Sequence, residues 1–528
     1  MLTAPRRAGY RGRIDLSALP LHPLLAAAYP VVFLFATNAA DQVTLAPIWI
    51  PLGMAVGGAA VVLVAATLVL RNWHRAALLT TVLVAAFFGY GHAWNAASGI
   101  LDSQWPLIGA WVLVVVIGLF VAWRAAGWAR TATRALNLVA AIALLLNIWS
   151  VAGAMVAIGA VGSTGEDLTE IALAPPDPND LPDVYYIILD RYAGSTALAE
   201  TYDFDNEPFL TALEERGFRV ARNAHSNYIK TPLSLASSLN MEYLDPETLN
   251  AEATDGKDRG PIHRVLREQH LAVPTALKEH GYQYVHVGNW WTPTATNIDA
   301  DRTFHYEGQD EFSTVLAQTT LLRAINEPES APSDPWDWRV LREHTLYALD
   351  RLDETAALSG PKFVFGHLLL PHDPYVFDTD GSFMDRAQVE RQGQVDSYRR
   401  QLSYANDRML QLVDRILAES GPDAVIMLQA DEGPFPARYR ADEWAFKWRE
   451  ARDEELEEKF GILFAMRVPD SDLDAAGFHD AITPVNTFPI IFNARFGTDL
   501  PLLPDRIWAH EDLAHFYDFF EVTDRLRR

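Results

Sequence analysis

Apolar positions are distributed unevenly along this chain. Five hydrophobic segments, roughly 22–38, 47–70, 76–94, 106–123 and 135–160, follow one another with few charges between them. A helix that crosses a bilayer needs about 20 apolar residues, so the pattern predicts five membrane helices, the first being the shortest. From Asp183 onward the pattern changes to short apolar runs alternating with amphipathic stretches. Val184–Leu189 (VYYIIL), Phe218–Ala221, Tyr282–Val287, Phe363–Phe365 and Ala424–Leu428 read as strands, and Glu207–Arg216 and Val395–Glu419 as helices. Buried strands alternating with such helices predict a largely parallel sheet covered on both faces.

These elements divide the chain into a basic N-terminus (1–20), a five-helix membrane domain (21–160), a linker rich in Pro, Asp and Gly (161–182), and an α/β domain (183–528). Several spans follow the first without an obvious cleavage site, so that first span is not expected to be a cleaved signal peptide. Charge supplies the orientation. Arg6, Arg7, Arg11 and Arg13 precede the first span, Arg71 and Arg75 follow the second, and Arg124, Arg130 and Arg134 follow the fourth. The other two loops, near Asp41 and Asp102, contain no Lys or Arg. The positive-inside rule makes the basic loops cytoplasmic, and five crossings then put the α/β domain outside a plasma membrane. His92, Asn95, Asn147 and Trp149 lie near span ends, as expected of interfacial or helix-to-helix contacts.

The formal net charge is −25, and the negative excess falls entirely after the membrane segments. Such an acidic domain is not expected to bind nucleic acid, which needs clustered Lys and Arg. The chain has no cysteine, which excludes disulfides, thiolate metal sites and cysteine nucleophiles.

In parallel sheets, ligands bind beyond the carboxyl ends of the strands. The polar residues there are Asp190, then His286 and Asn289, then His367 and His372, then Asp431 and Glu432. A further candidate is Thr231 in Asn227–Leu244 (NYIKTPLSLASSLNMEYL). A threonine before a proline and a small-residue helix reads as an N-cap, with its hydroxyl beside unpaired backbone N–H groups. Carboxylates at two strand ends with that hydroxyl would suit a hard divalent cation, and nearby histidines an oxyanion.

The order of ILD, NYxxTxxSLASxLN, HxxxPHxP and QADxGP resembles the alkaline phosphatase/sulfatase superfamily. It is most similar to the membrane-anchored branch with lipoteichoic acid synthases and phosphoethanolamine transferases. That resemblance implies an outer sulfatase-like catalytic domain after five spans, with Thr231 as nucleophile and metal ligand. It implies Asp190, Asp431 and Glu432 as the other ligands, and His372, His286, Trp291 and His367 on the substrate side. Where the branch usually has Asp-His-Gly, this chain has Asp431-Glu432-Gly433. An oxygen ligand in place of nitrogen shifts the expected single divalent ion from Zn²⁺ toward Mn²⁺, with Mg²⁺ or Zn²⁺ also able to bind.

The implied activity is transfer of a phospho-headgroup, of phosphoglycerol or phosphoethanolamine type, from a membrane lipid through a phospho-threonine. The acceptor would be a polymer or glycolipid of the cell envelope. The alternatives are a hydrolase of the same fold and a non-catalytic cation-binding pseudoenzyme. A formylglycine sulfatase would need C/S-x-P-x-R, where this chain reads Thr231-Pro232-Leu233-Ser234-Leu235. His510 and His515 are five residues apart, about 140° around a helix, and do not form a zinc-protease pair.

Overall fold

The computed structural model of the chain describes residues 19–38, 45–98, 100–101, 103–161, 173, 181–268, 270–306, 311–326 and 338–527. The N-terminal arginines and nearly all of the 161–182 linker lie outside the described residues. The chain forms two compact units, Met1–Val156 with Phe312–Pro335, and Ala157–Glu311 with Trp336–Arg528.

In the first unit, four helices are long and apolar enough to cross a membrane: Pro47–Leu70, Trp73–Ala97, Trp105–Gly127 and Ala129–Gly153. The helix expected as the first span, His22–Thr37, has 16 residues. At 1.5 Å per residue it is about 24 Å long, against roughly 30 Å of hydrocarbon. Large apolar side chains such as Val61, Leu68, Ile117 and Leu145 are exposed on these helices, as a lipid-facing surface requires.

The helices meet through small residues and a few polar ties. A Cβ on Gly118 would stand 2.3 Å from Val82 Cγ1, so this position lets two helices approach closely. Trp111 donates its indole N–H to the Ala86 carbonyl at 2.7 Å, and Tyr90 its hydroxyl to Gln104 at 2.9 Å.

The sequence boundary placed Phe312–Pro335 in the α/β domain, whereas the segment groups with the membrane helices. Phe312 and Leu316 share a buried cluster with Val31, Phe35 and Phe88. Gly91 permits this contact, because a Cβ there would lie 2.0 Å from the Gln318 carbonyl. Arg323 then donates to Asn95 Oδ1 at 2.5 Å. The described helix here, Glu311–Thr319, has only nine residues, too few to show as a membrane element in the sequence.

The second unit is built on a seven-stranded sheet. Its strands are β1 (Val184–Leu189), β2 (Arg219–Val220), β3 (Gln283–Val287), β4 (Arg302–Phe304), β5 (Lys362–Leu368), β6 (Val425–Gln429) and β7 (Phe464–Arg467). The order is β2-β7-β6-β1-β5-β3-β4, and only β7 runs against the others. The sheet is therefore mixed. All six residues of β1 are buried, as its unbroken apolar run predicts for a central strand.

Successive side chains on β1 point to opposite faces. Tyr186 hydrogen-bonds Ser238 at 3.1 Å and meets the Phe488 ring, so the helices Thr231–Asn240 and Thr487–Arg495 cover its face. Tyr185 bonds Ser420 at 2.8 Å, just past the Gln394–Glu419 helix, on the other face. β6, β1 and β5 are adjacent and parallel, so their carboxyl ends open side by side.

Candidate metal centre and active site

Three strand ends converge. Asp190 follows β1, Asp431 follows β6 and His367 lies near the end of β5, and one ligand atom of each falls within 4.8 Å of the others. All three are buried. The backbone N–H of Asp190 donates to the Leu368 carbonyl at 3.0 Å, which continues the β1–β5 ladder past the strand and fixes the carboxylate. Asp190 Oδ2 lies 3.6 Å from His367 Nε2. On the other side of the imidazole, Nδ1 shares a hydrogen bond with the Thr294 hydroxyl at 2.8 Å, which orients the ring.

Asp190 Oδ1, His367 Nε2 and both carboxylate oxygens of Asp431 are buried without a hydrogen-bond partner. Buried polar atoms are almost always paired, so such convergence is what a cation would satisfy. The carboxyl of Asp431 is pushed well above the usual range by burial and by the charges of Asp190 and Glu432. Burial raises the Asp190 carboxyl as well, but His372, His367 and Arg191 together hold it below that range. Two like charges this close cannot both ionise freely without a cation.

Thr231 opens the helix Thr231–Asn240. It is not the N-cap that the sequence suggested. Lys230 holds the cap position in extended backbone without a side-chain cap bond, and Thr231 is the first helical residue. Every residue from Thr231 to Leu239 is buried, which the Ser and Ala run makes possible without overpacking. The approach to the helix is pinned by Asn227, which accepts from Val485 N–H and donates to the Arg506 carbonyl, both at 2.8 Å. Ser234 donates to the Tyr228 carbonyl at 3.0 Å.

Glu432 faces a different partner from the one expected. Its Oε1 is 2.9 Å from Lys459 Nζ and 3.6 Å from Arg191 Nε. Lys459 also donates to the Gly433 carbonyl at 2.9 Å, and the Gly433 N–H donates back to the Lys459 carbonyl at 2.8 Å. A Cβ at Gly433 would stand 2.3 Å from the Glu458 carbonyl, so this contact needs glycine. Glu432 is thus tied to a lysine beside the cluster of Asp190, His367 and Asp431.

A cleft of about 150 Å³ lies in front of these groups, with Asp190, Thr231, Trp291, His372 and Glu432 in its wall. His372 and Trp291 therefore face the space where a substrate would sit. His286 does not. Its Nε2 donates to the Thr294 carbonyl at 2.9 Å, which leaves Nδ1 to accept from the Tyr284 hydroxyl at 3.1 Å. Burial pushes its pKa down to about 4, and it is a neutral interior residue of β3. His367, expected on the substrate side, belongs to the buried cluster.

Four residues of the cleft and its surroundings escaped the sequence reading. Lys230 and Arg259 line the wall, as does Trp290. Burial holds the Lys230 amine well below its usual pKa. Its Nζ donates to the Tyr439 hydroxyl at 3.0 Å and sits 4.0 Å over the Phe435 ring. His510, read only as half of a discarded protease pair, ends a strand and is buried, with Lys230 close enough to depress its pKa. The one local signal was position, since Lys230 immediately precedes Thr231.

Among solved structures, the chain is similar to the zinc complex of the C-terminal periplasmic domain of EptC from Escherichia coli. The identity is 14% and the TM-score 0.42, over 65% of this chain and 93% of that one. It is also similar to the integral membrane lipooligosaccharide phosphoethanolamine transferase A of Neisseria meningitidis, at 14% identity and TM-score 0.38, over 91% and 96%. A putative sulfatase from Bacteroides fragilis matches at 11% and 0.36, over 64% and 83%. No curated protein matches the sequence. The Sulfatase family model, by contrast, matches residues 182–453, just over half of the chain and the whole run from β1 through the Asp431-Glu432-Gly433 segment. The chain belongs to the Sulfatase family.

Proposed function

We propose that the protein is a membrane-anchored, metal-dependent transferase that moves a phospho-headgroup from a lipid to a cell-envelope acceptor through Thr231. The reading is carried by one observation. Unpartnered buried oxygens of Asp190 and Asp431 and the Nε2 of His367 meet at adjacent strand ends, and Asp190 lines the same cleft as Thr231.

The donor set fits a single divalent cation held by Asp190, His367, Asp431 and the Thr231 hydroxyl. Glu432 is engaged by Lys459 and lies outside the Asp190–His367–Asp431 group, so the all-oxygen set expected to favour Mn²⁺ loses its third carboxylate. With one imidazole, Zn²⁺ and Mn²⁺ both suit the set. Such a cation would acidify the hydroxyl and draw charge from a phosphate.

Thr231 Oγ then attacks phosphorus, an O–P bond forms, and the bond to the diacylglycerol oxygen breaks. The threonine loses its proton and the departing oxygen gains one. His372, in the wall of the same cleft, is the residue suited to carry that proton. The N-terminus of the Thr231–Asn240 helix faces negative charge favourably throughout. An acceptor hydroxyl reverses the first step and frees Thr231.

The basic loops support an N-terminus in the cytoplasm and the catalytic domain outside, with His22–Thr37 as the first of five crossings. Purified protein supplied with Mn²⁺ or Zn²⁺ and a panel of glycerophospholipids should release diacylglycerol, and Thr231→Ala should abolish release. Bound metal without turnover on any lipid would make the protein a cation-binding scaffold.

A further inference from the structure

The loop that carries His372 into the cleft is gripped from behind by one side chain. Gln401 lies on the helix Gln394–Glu419, is buried, and does not line the cleft. Its Nε2 donates to the carbonyls of Pro371 at 3.1 Å and His372 at 2.9 Å. Its Oε1 accepts the backbone N–H groups of Val376 at 2.7 Å and Phe377 at 3.1 Å. Backbone N–H groups only donate and carbonyls only accept, so these four contacts fix which way the amide faces. Both amide hydrogens and the amide oxygen are engaged on the backbone of a single loop.

The same helix face holds the strand end that bears Asp190. Tyr398 stands three residues before Gln401, and residues at that spacing share a face. Its hydroxyl donates to the Arg191 carbonyl and accepts from the Ala193 N–H, both at 3.0 Å. Arg191, next to Asp190, has left-handed backbone with φ 60°, an unusual conformation for a residue other than glycine that benefits from such a tie. One buried face therefore sets the turn after Asp190 and the loop of His372 in a fixed relation. The loop backbone also sets the imidazole. His372 Nδ1 donates to the Asp373 carbonyl, which leaves the lone pair on Nε2.

We infer that Gln401 is a positioning residue for the reaction. It holds the His372 backbone so that Nε2 can pass the proton from Thr231 to the departing oxygen, and it touches neither substrate nor metal itself. The inference rests on the reading of Thr231 as nucleophile and His372 as proton carrier.

The test uses full-length protein loaded with Mn²⁺ or Zn²⁺ and phosphatidylglycerol or phosphatidylethanolamine, whichever the wild type turns over. Gln401→Glu keeps an acceptor for Val376 and Phe377 but removes the amide donors to Pro371 and His372. Its kcat is expected to fall about 100-fold, the scale of a misplacement of about 1 Å, with KM and bound metal unchanged. Gln401→Met, which releases both ends of the loop, should lose at least as much. Adding Gln401→Glu to His372→Gln should cause no further loss, because both act through one group. Bis(nitrophenyl) phosphate, whose leaving group departs without a proton, should be affected far less than the lipid. Wild-type kcat in Gln401→Glu, losses that multiply in the double variant, or metal lost along with activity would overturn the inference. Thr231→Ala that still turns over lipid, or a wild type inactive on every lipid, would instead sink the catalytic reading and take this inference with it.

Discussion

Glu432 Oε1 and Lys459 Nζ lie 2.9 Å apart, and both residues are buried. Burial pulls the Lys459 amine down to about 8 while Glu432 pulls the other way, so the ammonium is retained near neutrality by its partner. The pair accounts for a glutamate buried beside the carboxyl groups of Asp190 and Asp431. Its charge is spent on a lysine that also clasps the Gly433 backbone. Removing one partner of such a pair strands a buried charge, which costs about 3–5 kcal/mol. Lys459→Met is expected to lose that much in denaturant unfolding, and Glu432→Gln added to it should restore part of the loss.

Metal content should follow the buried cluster. His367→Ala and Asp431→Asn are expected to lower affinity for Mn²⁺ or Zn²⁺ by about 10–100-fold or more, read by metal analysis after dialysis. Glu432→Gln should leave the stoichiometry intact. Metal should also raise the melting temperature of the wild type, since a ligand at about 100 times its Kd stabilises by about 2.7 kcal/mol.

Stability should fall with acid in a defined window because of His286. Its folded pKa of about 4 lies below the ordinary value of 6.5, a shift caused by burial and sustained by neighbouring His367 and His305, against the Thr294 bond. Above pH 6.5 the ring is neutral whether the chain is folded or not. Between 6.5 and about 4 only the unfolded chain takes up the proton, so stability falls with pH, by about 3 kcal/mol in all. A His286→Asn variant should show a shallower slope in that window. An equal slope would remove His286 as its source.

The chain has no cysteine, so single introduced thiols report topology cleanly. Ser103→Cys and Glu200→Cys are expected to react with an impermeant maleimide in intact cells, and Arg71→Cys only after permeabilisation. Glu200→Cys protected in intact cells would contradict the five-crossing topology.

Much of this was legible in the sequence, for identifiable reasons. β1 is an unbroken apolar run, so its central place and the polar residue Asp190 at its carboxyl end followed directly. Four of the apolar segments are long enough to span on length alone. What stayed hidden depends on contacts distant in the chain. Nothing near Glu432 announces Lys459, and nothing in His286 distinguishes a ring satisfied by Tyr284 and Thr294 from one facing a cleft. The sequence cannot bring His367 to Asp190 and Asp431, because the adjacency of β1, β5 and β6 is a property of strand order. The docking of Phe312–Asn326 against Gly91 was invisible for a similar reason. One glycine in a span looks like any other until a backbone is found against it.

The central claim is that Thr231 carries the group in transit. Full-length protein with bound divalent metal, mixed with phosphatidylglycerol and quenched within a turnover, should yield a peptide containing Thr231 with the added mass of a phosphoglycerol group. That adduct should vanish in Asp431→Asn. Undiminished lipid turnover in Thr231→Ala, or the adduct on a different residue, would contradict the account.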